Sequence, residues 1–210
     1  MNLRESNLSL TKQALKDSFT KDQLIIHTIH TLEELTTIIN KLTANLSERY
    51  GVYAPRIVRE ANQEKIIQSA FHEEKDDLGV HLDKEDLDSL KLIAEEIHTL
   101  KKLYEAQEIY LTTLMKDLCP RLQTLATTLI GAKLIDHAKS LKHLAELPSS
   151  TIQVLGAEKA LFRHLKTGSK PPKFGVIFAH PSITDSQERG KAARRLAGKI
   201  SIAVKQDYFK

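Results

Sequence analysis

The sequence predicts an all-α protein: a long antiparallel coiled-coil helical hairpin followed by a compact helical domain. Three observations carry this. Two long segments place apolar residues at steps of three and four, a solvated loop separates them, and beyond Pro120 the texture changes to short helical pieces broken by glycine and proline. With 210 residues and 41% apolar content, the chain can bury at least one packed core.

From Lys21 to Tyr50, the residues Ile25, Ile29, Leu32, Leu35, Ile39, Leu42 and Leu46 make one apolar stripe of a long helix. Gly51 and Pro55 are expected to interrupt it, and a short segment with Ile57, Val58, Ile66 and Ile67 follows. Asp76, Asp77 and Gly79 mark the loop. Asp83 then offers an N-cap to a second helix, which carries Leu87, Leu90, Ala94, Ile97, Leu100, Leu103 and Tyr104 and runs to about Leu118, before Pro120. Helices of this length, about 45 Å at 1.5 Å per residue, must bury their stripes on each other or on a second chain. The domain reading is a short polar segment over 1–20, a coiled-coil dimerisation domain over 21–119 and a compact domain over 120–210.

In the last domain, breaks are expected at Gly131, Pro148, Gly156 and Gly168 and around Pro171, Pro172 and Gly175. Ser149 and Ser150 are candidate N-caps for a helix reaching Leu165, with Gly168 just past its end. Residues 169–183 read as an ordered loop, and 187–207 as a final helix. Gly131 to Lys210 contains 15 Lys/Arg against 6 Asp/Glu, a net charge of +9, whereas the remainder carries −5. Concentrated basicity of this kind suits a polyanion.

Enzyme classes lack their parts. The sequence holds no Gly-Lys-Ser/Thr phosphate loop, no strand followed by Gly-x-Gly-x-x-Gly and no Gly-x-Ser-x-Gly elbow, so no catalytic residue and no cofactor are expected. His27 and His30 are three apart without a third ligand, and no metal site is expected. Cys119, the only cysteine, lies at an apolar helix end and reads as a buried structural thiol. No run of 18 apolar residues is present and the first residues lack a signal-peptide pattern, which reads as a soluble intracellular protein.

The segment PSSTIQVLGAEKALFRHL, residues 148–165, resembles the signature of the Nop domain of archaeal box C/D ribonucleoprotein scaffolds. The resemblance continues through Thr167-Gly168, Lys170-Pro171-Pro172-Lys173, Gly175-Val176-Ile177, the run RGKAAR over 189–194, Leu196-Ala197-Gly198-Lys199 and Asp207-Tyr208-Phe209. Upstream, residues 22–26, 49–51 and 130–134 are similar to the family's coiled coil and junction. What it implies is an RNA-binding scaffold. Family members bind a composite surface of a kink-turn RNA and the small ribosomal-type protein already on it, and their coiled-coil arms pair with self or with a paralogous scaffold. The related spliceosomal members bind a U4-type RNA in the same way. In the archaeal scaffolds a separate N-terminal domain, before the coiled coil, docks the RNA methyltransferase fibrillarin. Only about twenty polar residues precede the coiled coil here, so fibrillarin docking is expected to be missing.

The residues allow the same reading. Gly156 lets a backbone approach a ligand, and Lys159, Arg163 and His164 follow at helical spacing. Arg163 and His164 are planar and can stack on unpaired bases, whereas Lys159 can only pair with phosphate. Leu161 and Phe162 are expected in the core. Under the resemblance, Ser149, Ser150 and Gln153 belong to the binding surface, as do Lys170 and Lys173 on a basic loop. Arg189, Lys191, Arg194, Arg195 and Lys199 form a cationic side of the last helix. Alone, such a stripe also describes a solvated face; beside the signature it is expected on phosphate. The alternative function is a coiled-coil module that pairs with a full-length scaffold and modulates assembly, with RNA contact secondary.

Overall fold

Proline and glycine placement sets where the helices of this chain begin and end. The structure, a computed structural model, describes residues 3–209, and among these it is all-α. In chain order the helices are α1 (Leu3–Ser18), α2 (Lys21–Tyr53), α3 (Pro55–Glu60), α4 (Gln63–Phe71) and α5 (Lys84–Leu118). They continue with α6 (Pro120–Ala126), α7 (Thr128–Ala138), α8 (Leu141–Glu146), α9 (Ser149–Val154) and α10 (Glu158–Thr167). A short 3-10 turn (Val176–Ala179), α11 (Pro181–Thr184) and α12 (Arg189–Tyr208) complete the chain. Pro55, Pro120 and Pro181 each open a helix, where the missing N–H costs nothing. No helix among the described residues is long and apolar enough to cross a membrane.

The expected hairpin is present. Lys21 pairs with Asp117 near one end of α2 and α5, and Arg49 donates to the Ser89 hydroxyl (3.3 Å) near the other, so the two helices run antiparallel. Gly51 does not end α2, which continues to Tyr53, and Ala54 N still donates to the Tyr50 carbonyl (2.8 Å). It is Pro55 that forces the break. The polar segment expected over 1–20 contains α1, whose leucines fall as two pairs on different sides, Leu3 with Leu10 and Leu8 with Leu15, so that no single stripe announces the helix.

The chain packs as two compact units. One compact unit is Thr31–Ile109; the other joins the stretch up to His30 with the stretch from Tyr110. The first unit is built on Leu46, Tyr50 and Tyr53 of α2, Ile66, Ile67 and Ala70 of α4, and Leu90, Ala94 and Ile97 of α5. Tyr50 is buried among them and its hydroxyl donates to the Glu74 carbonyl. Burial, with smaller contributions from the charges of Glu74 and others, raises the phenol well above its ordinary pKa.

In the second unit the end of α5 packs against the short helices. Met115 of α5 sits against Gly131, where a Cβ would fall 2.7 Å from its methyl carbon, so Gly131 is buried inside α7 instead of breaking a helix. Asp22, at the start of α2, accepts from Leu141 N (3.0 Å) and, with the Ser140 hydroxyl on His143 N, caps α8. Helix α12 is the central element, packing on α6, α8, α9 and α11. Its last turn supplies Asp207, whose side chain is wholly buried and accepts from Leu122 N (2.9 Å) in the first turn of α6, with Arg121 Nη1 3.4 Å away.

Two outcomes are expected. Asp207→Ala strands the Leu122 N–H and should destabilise the protein by about 2 kcal/mol, read as a lower urea midpoint at unchanged slope. Cys119 is fully buried beside Met115 (Sγ to Sδ 3.6 Å), and burial, with the charge of Asp207, pushes its thiol up to about 12. It should therefore resist iodoacetamide in the folded protein at mildly alkaline pH and react promptly once denatured.

Candidate nucleic-acid interface

The family-like segment folds into α9, a three-residue break and α10. Pro148, not a serine, is the N-cap of α9; Ser149 and Ser150 are its first two residues and neither caps it through its side chain, because Pro148 already holds the extended conformation the cap needs. Both are exposed. Ile152 is buried where α9 packs on α12. The Gln153 and Leu155 carbonyls accept from Gly175 N (2.9 Å) and Val176 N (2.8 Å), and Gln153 Nε2 donates to the Lys173 carbonyl (2.7 Å). Gln153 thus holds the basic loop onto α9. The seam is too tight for a side chain, since a Cβ on Gly175 would lie 1.9 Å from the Leu155 carbonyl oxygen.

Gly156 does take a left-handed conformation, φ +87°, but what approaches its backbone is the protein itself: a Cβ there would meet Val176 Cγ2 at 2.5 Å and His137 Nε2 at 3.2 Å. Its role is to let the chain turn sharply against the loop. The Gly156 N–H donates to Glu158 Oε1 (2.7 Å), which lies 3.6 Å from His137 Nδ1.

Helix α10 buries no residue. The expectation of a core position for Phe162 is overturned, because it is 60% exposed and Leu165 is 69% exposed; Leu161 is only partly covered. Amphipathic spacing there describes a helix whose apolar side the chain covers only in part, at Ala160 and Leu161. Lys159 and Arg163, one turn apart, are exposed on the same helix. His164 is half-buried and directed to the loop, its Nδ1–H donating to the Ser169 carbonyl, so it is not aligned with them as a third surface group. Gly168 ends the helix at φ +67° and returns its N–H to the His164 carbonyl (2.8 Å).

The cations of α12 divide between two sides. Arg194 faces a cleft of about 500 Å³ with Gln153, Lys170, Lys173 and Gly190. Arg189 and Lys191 face the adjoining cleft with Lys173 and Phe174, and Lys191 pairs with Glu188 (3.0 Å). Lys199 instead lines a groove with Pro120, Arg121 and Ile202, because five residues along a helix rotate it by about 140° from Arg194. Arg195 is exposed between them. One feature escaped the residue-by-residue reading: Phe174 and Phe178 stack at 4.6 Å with an 11° interplanar angle, and the Arg189 guanidinium lies 5.9 Å from the Phe178 ring. Its signal was two phenylalanines four apart in a basic loop.

The family model described as "Nop: snoRNA binding domain, fibrillarin" matches residues 13–210. A NOP5 family protein of Methanocaldococcus jannaschii is 37% identical over 229 residues, covering 95% of this chain and 55% of that protein. Nucleolar protein 58 of Candida albicans is 33% identical over 232 residues, covering 96% and 45% respectively. The chain thus spans about half the length of these curated relatives. A crystal structure of a fibrillarin/Nop5p complex matches with a TM-score of 0.61 and 27% identity over 99% of this chain and 70% of that one. The expectation that fibrillarin docking is missing is not borne out: it rested on the few residues before α2, whereas the family match begins inside α1 and the matched Nop5p structure is itself a fibrillarin complex. On the match over residues 13–210, the chain belongs to the Nop family.

Proposed function

We propose that this chain is a non-enzymatic scaffold of a box C/D-type ribonucleoprotein, which binds a kink-turn RNA together with the small ribosomal-type protein on it. The observation that carries the reading is α10, where bare Phe162 and Leu165 stand on the same short helix as the exposed cations Lys159 and Arg163. An apolar surface suits a protein partner and the cations suit phosphate, so one helix serves a composite target. The clefts holding Lys170, Lys173, Arg189, Lys191 and Arg194 extend the basic surface along the RNA. The 120–210 segment is the RNA-facing part in this proposal.

Pairing of two scaffolds is assigned to the hairpin. Ile38, Leu92, Leu103 and Ile109 are exposed on α2 and α5 within the Thr31–Ile109 unit, apolar surface that a second coiled-coil arm would cover. Fibrillarin is included as a partner on the strength of the Nop5p complex to which the chain is similar. The scaffold would place that methyltransferase on guided RNA in rRNA processing while performing no covalent step itself.

A gel-shift titration of a box C/D kink-turn RNA, with and without its ribosomal-type protein, should show tight binding only to the preformed complex, weakening steeply with salt. Arg163→Ala should weaken it about tenfold and reduce the salt slope. Phe162→Ala should weaken it too, yet leave the urea midpoint within about 0.5 kcal/mol of the parent, since this ring is already exposed. Equal binding to naked RNA, or none to either form, would overturn the composite-surface reading.

A further inference from the structure

The cleft at the start of α12 combines three things that a merely phosphate-binding surface does not need. Phe174 lines it, supported from behind by its stack on Phe178. Arg189 lines it too, its planar guanidinium held near the Phe178 ring. Gly190 lies between cations in the same wall, and a Cβ there would meet nothing within 4 Å, so the helix surface is open at that point.

Three cations and one carboxylate line this cleft. Glu188 is in the wall, paired with Lys191 (3.0 Å), and its carboxylate can also accept from the exocyclic amine of a base. Lys173 and Lys191 also line the cleft, and their ammonium groups suit the phosphates that flank a base. The cleft volume, about 450 Å³, accommodates a single ring system with part of its sugar. Aromatic and guanidinium planes are what unpaired bases stack on, and paired bases inside a duplex do not present a free face.

We propose that this cleft receives one unpaired nucleobase of the bound RNA, with Phe174 and Arg189 against the base and Lys173 and Lys191 on its flanking phosphates. The proposal rests on the scaffold reading above and deepens it by naming a single-stranded nucleotide as a recognised feature. Arg189 is then a stacking residue first and a cation second. That distinguishes it from Arg194 and Lys170 in the neighbouring cleft, which are left to pair with phosphates.

The test is a double-mutant cycle with the full chain. Binding is measured for the parent and Arg189→Lys, each against a stem-loop kink-turn RNA carrying its ribosomal-type protein and against the same RNA made abasic at each unpaired position in turn. One abasic position should weaken parent binding about tenfold, Arg189→Lys should do likewise, and the two together should cost no more than either alone. Because the lysine keeps the charge, the slope of log affinity against log salt should not change, and an unchanged urea midpoint shows that the fold is retained. A fluorescent purine analogue at the sensitive position should be quenched by the parent and less so by Arg189→Lys. If the parent binds with the expected salt dependence but neither Arg189→Lys nor any abasic position matters, the base pocket is overturned and the scaffold reading stands. Additive losses in the cycle overturn it as well. If the parent binds no RNA, both readings fall together.

Discussion

The buried carboxylate of Asp207 is the contact on which the unit containing α12 depends. It sits in the last turn of α12 and satisfies the Leu122 N–H at the start of α6, a donor that helix geometry leaves without an internal partner. The pairing ties the end of the chain to a helix some eighty residues earlier, so α12 cannot slide along α6 without exposing a charge and an amide in the apolar interior. Asp22 does the equivalent at α8. Two side chains of the same kind thereby join the first helix of the hairpin and the last helix of the chain to the short helices between them.

With its final turn held in this way, α12 presents its first turns to solvent, and a basic surface assembles on them. The loop carrying Lys170 and Lys173 is drawn to α9 by the Gly175 and Val176 amides and the Gln153 side chain, which brings its lysines beside Arg189, Lys191 and Arg194. The tight seam at Gly175 and the left-handed turn at Gly156 are the conditions for that approach. Helix α10 leaves the same turn and buries none of its residues fully. An isolated helix of its length is marginal in water, and an exposed Phe162 and Leu165 add nothing to its stability.

Much of this was readable from residues. The stripes Ile25 to Leu46 and Leu87 to Ile97 marked the hairpin because period-3.6 burial writes itself directly into sequence. Pro55 and Pro120 marked helix starts because a fixed φ and a missing N–H act locally. Glycines were harder. Gly131 and Gly156 are read alike from sequence, yet one sits inside a helix under Met115 and the other takes φ +87° beneath Val176; the atoms that demand a missing side chain are distant in the chain. Leu161 and Phe162 were misplaced for a related reason: amphipathic spacing tells that a helix has an apolar side, not whether the same chain covers it.

By itself the sequence determined the all-α class, the hairpin, the basic final segment and the family signature over 148–165, since each rests on local pattern or composition. Tertiary structure decided the rest. It joined the stretch up to His30 with the stretch from Tyr110 in one compact unit, turned His164 onto the Ser169 carbonyl, separated Lys199 from Arg194 and stacked Phe174 on Phe178 with Arg189 near that ring. These depend on which surfaces meet across long stretches of chain, and periodicity along one helix carries no information about the direction from which its neighbours arrive.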